Sequence, residues 1–407
     1  MRILLSAGEV SGDVAGALLA REIRTIDPTA ALYGLGGPRM AAGNVEVLCD
    51  TNPLGTVGVS EAFGVLPSLA GAFRALRARV LADPPDVAVL IANDIFNVAL
   101  GRWLRRRGVR TAAWFPPQVW IWHALARTFA RSYDAVLACF PEEVDVWSRA
   151  GAETRFVGHF LADTLEPAGA ADRSRARRML GLAGESPVVA VLPGSRSHEV
   201  ARLGPALLRA AALVAEKRPA VSWVVPVAEP ALVPLVEAQA EEAGLVAPGR
   251  RVAFVPGGPA ALAAADLALV ASGTASLEAA LLGVPAVVVY RVSLLTIGVV
   301  RSAIGLGLMD SDTVALPNLV LGRRVLPELI QRRVNPAEIA AEALSLLDDP
   351  ARRESVRSEL LAVRGLLGSG GSMRRTAETV LSLAGRREPS ADAAVEPVLV
   401  ATPGGRS

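Results

Sequence analysis

The sequence predicts an α/β protein of two Rossmann-like parallel-sheet domains facing a cleft. Three observations predict it. The chain has 407 residues, more than one hydrophobic core normally serves, so two domains of roughly 150–200 residues are expected. Short apolar runs of strand length alternate with Ala- and Leu-rich stretches of helical spacing, and the alternation restarts midway, as βαβ units in two parallel sheets require. Several apolar runs lead directly into small-residue turns, and open α/β sheets bind ligands beyond the carboxyl ends of their strands.

Residues 3–7 read as the first strand, 8–13 as a loop and 14–25 as a helix. Residues 31–34 read as a strand and 57–81 as mixed helices rich in Leu, Ala and Arg. Residues 87–91 form a buried strand. The helix over 98–107 ends in arginines that complement its dipole. Short strands follow at 111–114 and 135–139. The second half opens on a basic helix at 173–182, then a strand at 188–192, a Pro-Gly-Ser turn and a helix over 203–217. Strands at 222–227, 252–255, 267–271 and 285–290 follow, with helices around 259–265 and 275–282. A hinge near 162–172 divides the chain into domains over 1–168 and 169–386, the second carrying terminal helices. Residues 387–407 read as a flexible tail.

Composition narrows the function. A net charge of +2 does not indicate wholesale nucleic-acid binding. Arginines do cluster, at Arg102, Arg105, Arg106 and Arg107 and again at Arg323, Arg324, Arg332 and Arg333. Each cluster fits a solvated helix face, or attraction to anionic lipid or phosphate. Cys49 and Cys139 are far apart and lack metal-ligand spacing, which fits a reducing, cytoplasmic setting without disulfides. Mean hydropathy is high at +0.39. The most apolar stretch, 281–300, has nearly the length of a membrane span. Pro285, Arg291 and a β-branched run read instead as strand, loop and apolar helix, compatible with peripheral membrane contact but not with spanning. Residues 55–81, apolar with interspersed Arg74, Arg77 and Arg79, fit either a bilayer-surface helix or a core helix.

Three loops carry chemistry. Gly8-Glu9-Val10-Ser11-Gly12-Asp13 follows the first strand. Its glycines permit close backbone approach, and its two carboxylates favour sugar hydroxyls over phosphate, unless Ser11 or Asp13 simply caps the helix. In Leu192-Pro193-Gly194-Ser195-Arg196-Ser197-His198-Glu199, Arg196 is placed to clamp a diphosphate bidentately, with a structural Arg196–Glu199 pair as the alternative. In Ala271-Ser272-Gly273-Thr274-Ala275-Ser276-Leu277-Glu278, the small-residue turn and helix start make an anion site, and Glu278 lies one turn inside, near enough to accept from ribose hydroxyls. Together the last two loops point to a nucleoside diphosphate. Neither a Walker-type motif nor a G-x-G-x-x-G fingerprint after a strand is present.

These motifs occur in order with others: GEVSGD, PPQVWIW at 116–122, VGH at 157–159, LPGSR at 192–196, SGTASLE at 272–278, ALPNLVLGR at 315–323 and ELIQ at 328–331. Over about residues 1–385 the chain resembles the lipid-A-disaccharide synthase family. The resemblance implies a GT-B fold and an inverting, metal-independent hexosyltransferase without a cofactor. It implies transfer of diacylated glucosamine from a UDP-diacylglucosamine donor to an acylated glucosamine 1-phosphate acceptor, by a protein peripheral on the cytoplasmic face of the inner membrane. It makes 1–168 the acceptor side and 169–386 the UDP-sugar side, and it allows a homodimer. Residue by residue, it implies Arg196 at the diphosphate with Ser272, Gly273 and Thr274 beside it, and Glu278 at the ribose. Asn318 and Gln331 are implied near the donor. Glu9, Ser11, Gly12 and Asp13 are implied to face the acceptor, with Glu9, Asp13 and Asp94 as catalytic candidates.

One segment departs from the family pattern. Where the family reads IDxPDFN, this chain has Ile91-Ala92-Asn93-Asp94-Ile95-Phe96-Asn97. Aligned without a gap, both family aspartates are lost, and Asp94 stands where the family has proline. His123, after Trp122, is a candidate substitute for a basic residue the family tends to carry there. Asp310-Ser311-Asp312 matches a short metal-binding pattern of another glycosyltransferase architecture, without a supporting carboxylate nearby, so no metal site is expected. The departure keeps other readings open: a diverged UDP-sugar transferase with another acceptor, a UDP-sugar epimerase of similar fold, or a sugar-nucleotide-binding scaffold without catalysis.

Overall fold

The computed structural model describes residues 1–51, 59–92, 94–118, 125–182, 184, 186–292, 313–368 and 370–385, with backbone alone at 59–66 and 94–95. His123, the Asp310-Ser311-Asp312 triplet, most of the apolar stretch beyond Val292 and the tail lie outside them.

The N-terminal half runs β1 (Arg2–Ala7), α1 (Val10–Ile26), β2 (Ala31–Gly36), α2 (Pro38–Ala42), β3 (Glu46–Asp50), α3 (Val59–Ala82), β4 (Val87–Ile91), α4 (Asp94–Arg105), β5 (Arg110–Trp114), α5 (Ala126–Ala130), β6 (Ala135–Ala138), α6 (Pro141–Arg149), β7 (Glu153–Phe156) and α7 (Leu161–Thr164). Its strands form one parallel sheet in the order β3-β2-β1-β4-β5-β6-β7. The C-terminal half continues with α8 (Ala170–Met179), β8 (Val188–Leu192), α9 (Ser197–Lys217), β9 (Ser222–Val227), α10 (Val233–Glu242), β10 (Arg251–Pro256), α11 (Gly258–Ala264), β11 (Leu267–Ala271), α12 (Thr274–Leu281), β12 (Ala286–Tyr290), α13 (Leu316–Leu321), β13 (Glu328–Ile330), α14 (Pro336–Leu347), α15 (Pro350–Leu366) and α16 (Ser372–Leu383). Its sheet, again parallel, is ordered β10-β9-β8-β11-β12-β13. This is the GT-B architecture of two doubly wound α/β domains.

The strand pleat explains the layers. In β1, Ile3, Leu5 and Ala7 enter one core cluster, with α1, while Leu4 enters another, with Leu76 of α3 and Leu104 of α4. Helices therefore cover both faces, and central strands are apolar throughout. Along α3, Ala72, Leu76 and Val80, one turn apart, are buried, while Leu81 on the other side is 55% exposed.

The sequence missed β3, β7 and β13. All three lie at sheet edges, and their side chains are largely half-buried or exposed, so no continuous apolar run marks them. Helix α1 starts at Val10, not after Asp13, so Ser11, Gly12 and Asp13 stand in its first turns. Their low helix propensity is overridden by packing: a Cβ on Gly12 would already sit 3.3 Å from the Ala7 Cβ. The region 57–81, read as mixed helices, is one helix from Val59.

The last helix, expected with the C-terminal domain, packs on the N-terminal one. Ser372 Oγ donates to the Gly158 carbonyl (2.9 Å), Asp163 Oδ2 accepts from Met373 N (2.9 Å), and Arg110 donates to the Leu383 carbonyl (2.7 Å). The VGH motif sits at this crossing. A Cβ on Gly158 would lie 2.7 Å from the Leu367 carbonyl oxygen, and His159 N donates to that same oxygen (2.9 Å). Burial among Phe115, Phe140 and Phe160 lowers the His159 pKa to about 3, so it is neutral, and Nδ1 accepts from Leu161 N (3.2 Å). Among the described residues no helix is long and apolar enough to cross a membrane.

Candidate functional site

Each sheet has a point where strand order reverses, and the loops there part to leave a crevice. In the N-terminal sheet it lies between β1 and β4, where Ala7 pairs with Ile91. In the C-terminal sheet it lies between β8 and β11, where Leu192 pairs with Val270. The three loops singled out in the sequence follow β1, β8 and β11, so all lie at these points.

Across the cleft the two points touch. Arg196, at the start of α9, donates to Glu9 of the N-terminal domain and to Glu199 Oε1 (2.6 Å). The Arg196 side chain is 16% exposed and that of Glu9 29%, so the pair is partly desolvated. Burial works against the charged guanidinium, but the two carboxylates outweigh it and hold the Arg196 pKa above its ordinary value. Glu9 Oε1 also accepts from Ser11 Oγ (2.7 Å). Arg196 Nε is buried with no acceptor among the described residues, which leaves a donor for a ligand. The turn is held by Glu199, whose Oε2 accepts from Ser195 N (3.0 Å). Gly194 has φ +130°, and a Cβ there would lie 2.8 Å from the Glu199 Cβ, so only glycine fits. Arg39 and Glu229 (3.3 Å) bridge the same two domains.

On the other side of the crevice, Gly273 precedes α12, whose N-terminus no side chain caps. Its first N–H groups are open to an anion. Ser272 Oγ is spent on the Val314 carbonyl (2.8 Å), which fixes the turn. Burial raises the Glu278 carboxyl from 4.5 to about 7, so near neutrality it can donate as well as accept. A group held at 4.5 when unfolded and about 7 when folded stabilises nothing below pH 4.5 and penalises the folded state as pH rises towards 7. The stability of Glu278→Gln relative to wild type is therefore expected to grow between pH 4.5 and about 7 in denaturant titrations. A difference that stays flat would remove the buried carboxyl.

Two predicted residues are placed elsewhere. Asp13 is fully buried, and its carboxylate accepts from Gly37 N (2.9 Å), Met40 N (2.9 Å) and Arg39 N (3.1 Å). It anchors the start of α2, and its oxygens are taken up by these backbone donors rather than turned to the cleft. Asp13→Ala would strand three N–H groups, two of them buried, and should lower unfolding free energy by about 3 kcal/mol, measurable by urea unfolding. Asn318 is also buried: Nδ2 donates to the Leu326 carbonyl (2.9 Å) and Glu328 Oε1 (2.8 Å), and Oδ1 accepts from Val325 N and Leu326 N (both 2.9 Å). Every lone pair and N–H of its amide has a protein partner, and these bonds tie the LPN and ELIQ motifs together. Gln331, half-buried at the carboxyl end of β13, has φ +56° and stays on the cleft edge of the sheet.

The departing segment shows what the backbone does. Ala92 adopts φ +52° directly after β4, a conformation that Asp and Asn tolerate better than Ala. Asn97 holds it: Nδ2 donates to the Ala92 carbonyl (2.6 Å) and to the Ser6 and Ile91 carbonyls (both 3.2 Å), and Oδ1 accepts from Ser6 Oγ (2.8 Å). The ends of β1 and β4 are thereby fastened together. Asp94 is the first residue of α4, which places it at the switch point beside the Glu9 loop. Among the described residues no cluster of His, Cys, Asp and Glu could hold a metal ion.

Comparison with known proteins agrees with this geometry. A family model described as Lipid-A-disaccharide synthetase matches residues 3–375. The Lipid-A-disaccharide synthase of Geobacter sulfurreducens is 38% identical over 391 residues, 95% of this chain and 98% of that protein. That of Xanthomonas campestris pv. campestris strain 8004 is 39% identical over 389 residues, 95% and 87% respectively. Among solved structures, UDP-GlcNAc 2-epimerase from Neisseria meningitidis bound to UDP-GlcNAc shares the fold, with a TM-score of 0.63 at 13% identity over 94% of this chain and 100% of that one. With the family pattern covering nearly the whole chain, this protein belongs to the lipid-A-disaccharide synthase family.

Proposed function

We propose that this chain is an inverting glycosyltransferase that moves 2,3-diacylglucosamine from UDP to 2,3-diacylglucosamine 1-phosphate, giving lipid A disaccharide 1-phosphate and UDP. The observation that carries the assignment of roles is the Glu9–Arg196 contact across the cleft. A carboxylate occupies the guanidinium that a donor diphosphate would need. Binding of the donor would hand Arg196 to the diphosphate and release Glu9 on the acceptor side. Glu9, with Asp94 nearby in the fold, would then take the proton of the acceptor hydroxyl as that oxygen attacks the anomeric carbon. The bond to UDP breaks on the opposite face, which inverts the centre. Arg196 and the open N–H groups of α12, with Thr274, would meet the charge growing on UDP, while Glu278 and Gln331 line the donor side.

Both substrates carry acyl chains, which supports a cleft that works against a membrane surface from the cytoplasmic side. The homodimer and the domain roles, acceptor on the β1–β7 sheet and donor on the β8–β13 sheet, belong to the same proposal. Incubating the purified protein with the two diacylated substrates tests it, with mass spectrometry for UDP and a disaccharide 1-phosphate. UDP binding with no disaccharide would point instead to a scaffold or another acceptor, the reading that Ala92 and Ile95 in place of aspartates favours.

A further inference from the structure

The structure carries a second concave site that the transfer reaction does not use. At the end of the N-terminal sheet away from the cleft, a hollow of about 590 Å³ is lined by Arg102, Arg105, Arg106, Arg110, Arg131 and Asp134. A second hollow of about 410 Å³ shares Arg105, Arg131 and Asp134 and adds Arg127. Arg110 opens β5 and Arg105 closes α4. The length of β5, about 15 Å at the usual rise per residue, therefore separates this trough from the catalytic loops.

The charge is not balanced within the trough. Its single acid, Asp134, is already engaged by Arg105 Nε (2.9 Å), Thr111 N (2.8 Å) and Thr111 Oγ1 (3.0 Å). Arg102 and Arg110 each spend one N–H on a carbonyl, of Thr128 and Leu383 respectively (2.8 and 2.7 Å), and keep their charge. Arg106, Arg127 and Arg131 are exposed and make no side-chain hydrogen bond or ion pair among the described residues. Favourable interaction with the carboxyl end of α4 explains one or two cations at this end, not five converging on the first hollow, with Arg127 beside them on the second. Guanidinium groups with unused paired N–H donors match the oxygens of a phosphate group.

We propose that this trough binds a phosphate-bearing anion, either a soluble phosphate ester or the headgroup of an anionic phospholipid, independently of the UDP site. The test compares the full chain with the double variant Arg106→Ala/Arg131→Ala, both carrying Arg196→Ala to silence the donor cleft. Pyrophosphate is titrated by calorimetry, and sedimentation is measured with vesicles of phosphatidylcholine with and without phosphatidylglycerol. Loss of two near-surface cations is expected to weaken the anion that binds by roughly thirty-fold, more at low salt than at high. A drop in the pyrophosphate arm identifies a soluble ligand, and a drop only with phosphatidylglycerol vesicles identifies the headgroup. Equal behaviour of both proteins in both arms would overturn the proposal. UDP affinity of Arg106→Ala/Arg131→Ala with Arg196 intact should be unchanged, which confirms folding and separates this result from any failure of the transferase reading.

Discussion

Arg196→Ala is expected to weaken UDP binding by about 100-fold, in the range of 2–5 kcal/mol that truncating one member of a buried charge pair costs. The guanidinium is the cation on which carboxylates from both sides of the cleft converge, and its Nε has no acceptor among the described residues. Its removal also leaves Glu9 and Glu199 as two carboxylates facing the same space, which repels a diphosphate further. Isothermal titration with UDP measures the loss. Arg196→Lys should recover only part of it, because an ammonium cannot make the paired contacts of a planar fork. If Arg196→Ala bound UDP as tightly as wild type, the diphosphate would sit elsewhere, and the open end of α12 would have to hold it alone.

Glu9→Gln is expected to move binding and turnover in opposite directions. As the proposed base it should lower kcat by about 10²–10⁴-fold, the usual contribution of a positioned proton acceptor. As the group paired with Arg196 across the cleft, its loss should tighten UDP by about five-fold, since a partly exposed pair contributes roughly 1 kcal/mol. Steady-state kinetics and UDP titration on one preparation check both. Made on top of Arg196→Ala, Glu9→Gln should still tighten UDP by relieving carboxylate–diphosphate repulsion, and the two effects should not add, because the residues share one contact. A kcat fall with weaker UDP binding would mean that Glu9 only supports the cleft, and an unchanged kcat would transfer the base role to Asp94.

The neighbouring carboxylates show how far sequence spacing goes. Glu9, Asp13 and Asp94 are equivalent as acids in a Gly-rich loop or after a strand. The Asp13 carboxylate has three backbone N–H groups on its oxygens and no exposure, and those donors come from the start of α2, some 24 to 27 residues further on. Asn318 and Glu199 repeat the point. The Arg196–Glu199 contact was legible as an alternative because one turn of helix separates the two. The contact with Glu9 spans 187 residues and leaves no trace in local spacing.

The sequence by itself determined the α/β class, the central strands and the family. Strands covered on both faces must be apolar throughout, and loops that bind ligands keep their small and charged residues at fixed offsets from strand ends. It also located the loops that follow β1, β8 and β11 at the two switch points, because each is a small-residue turn directly after an apolar run. The tertiary structure alone decided which acids face the cleft and which are buried caps. It decided that the last helix returns to the first domain, and that arginines from α4, β5 and α5 share one trough. The physical reason is common to all three: each depends on the direction of a side chain relative to an element distant in sequence, and packing of the whole chain sets that direction.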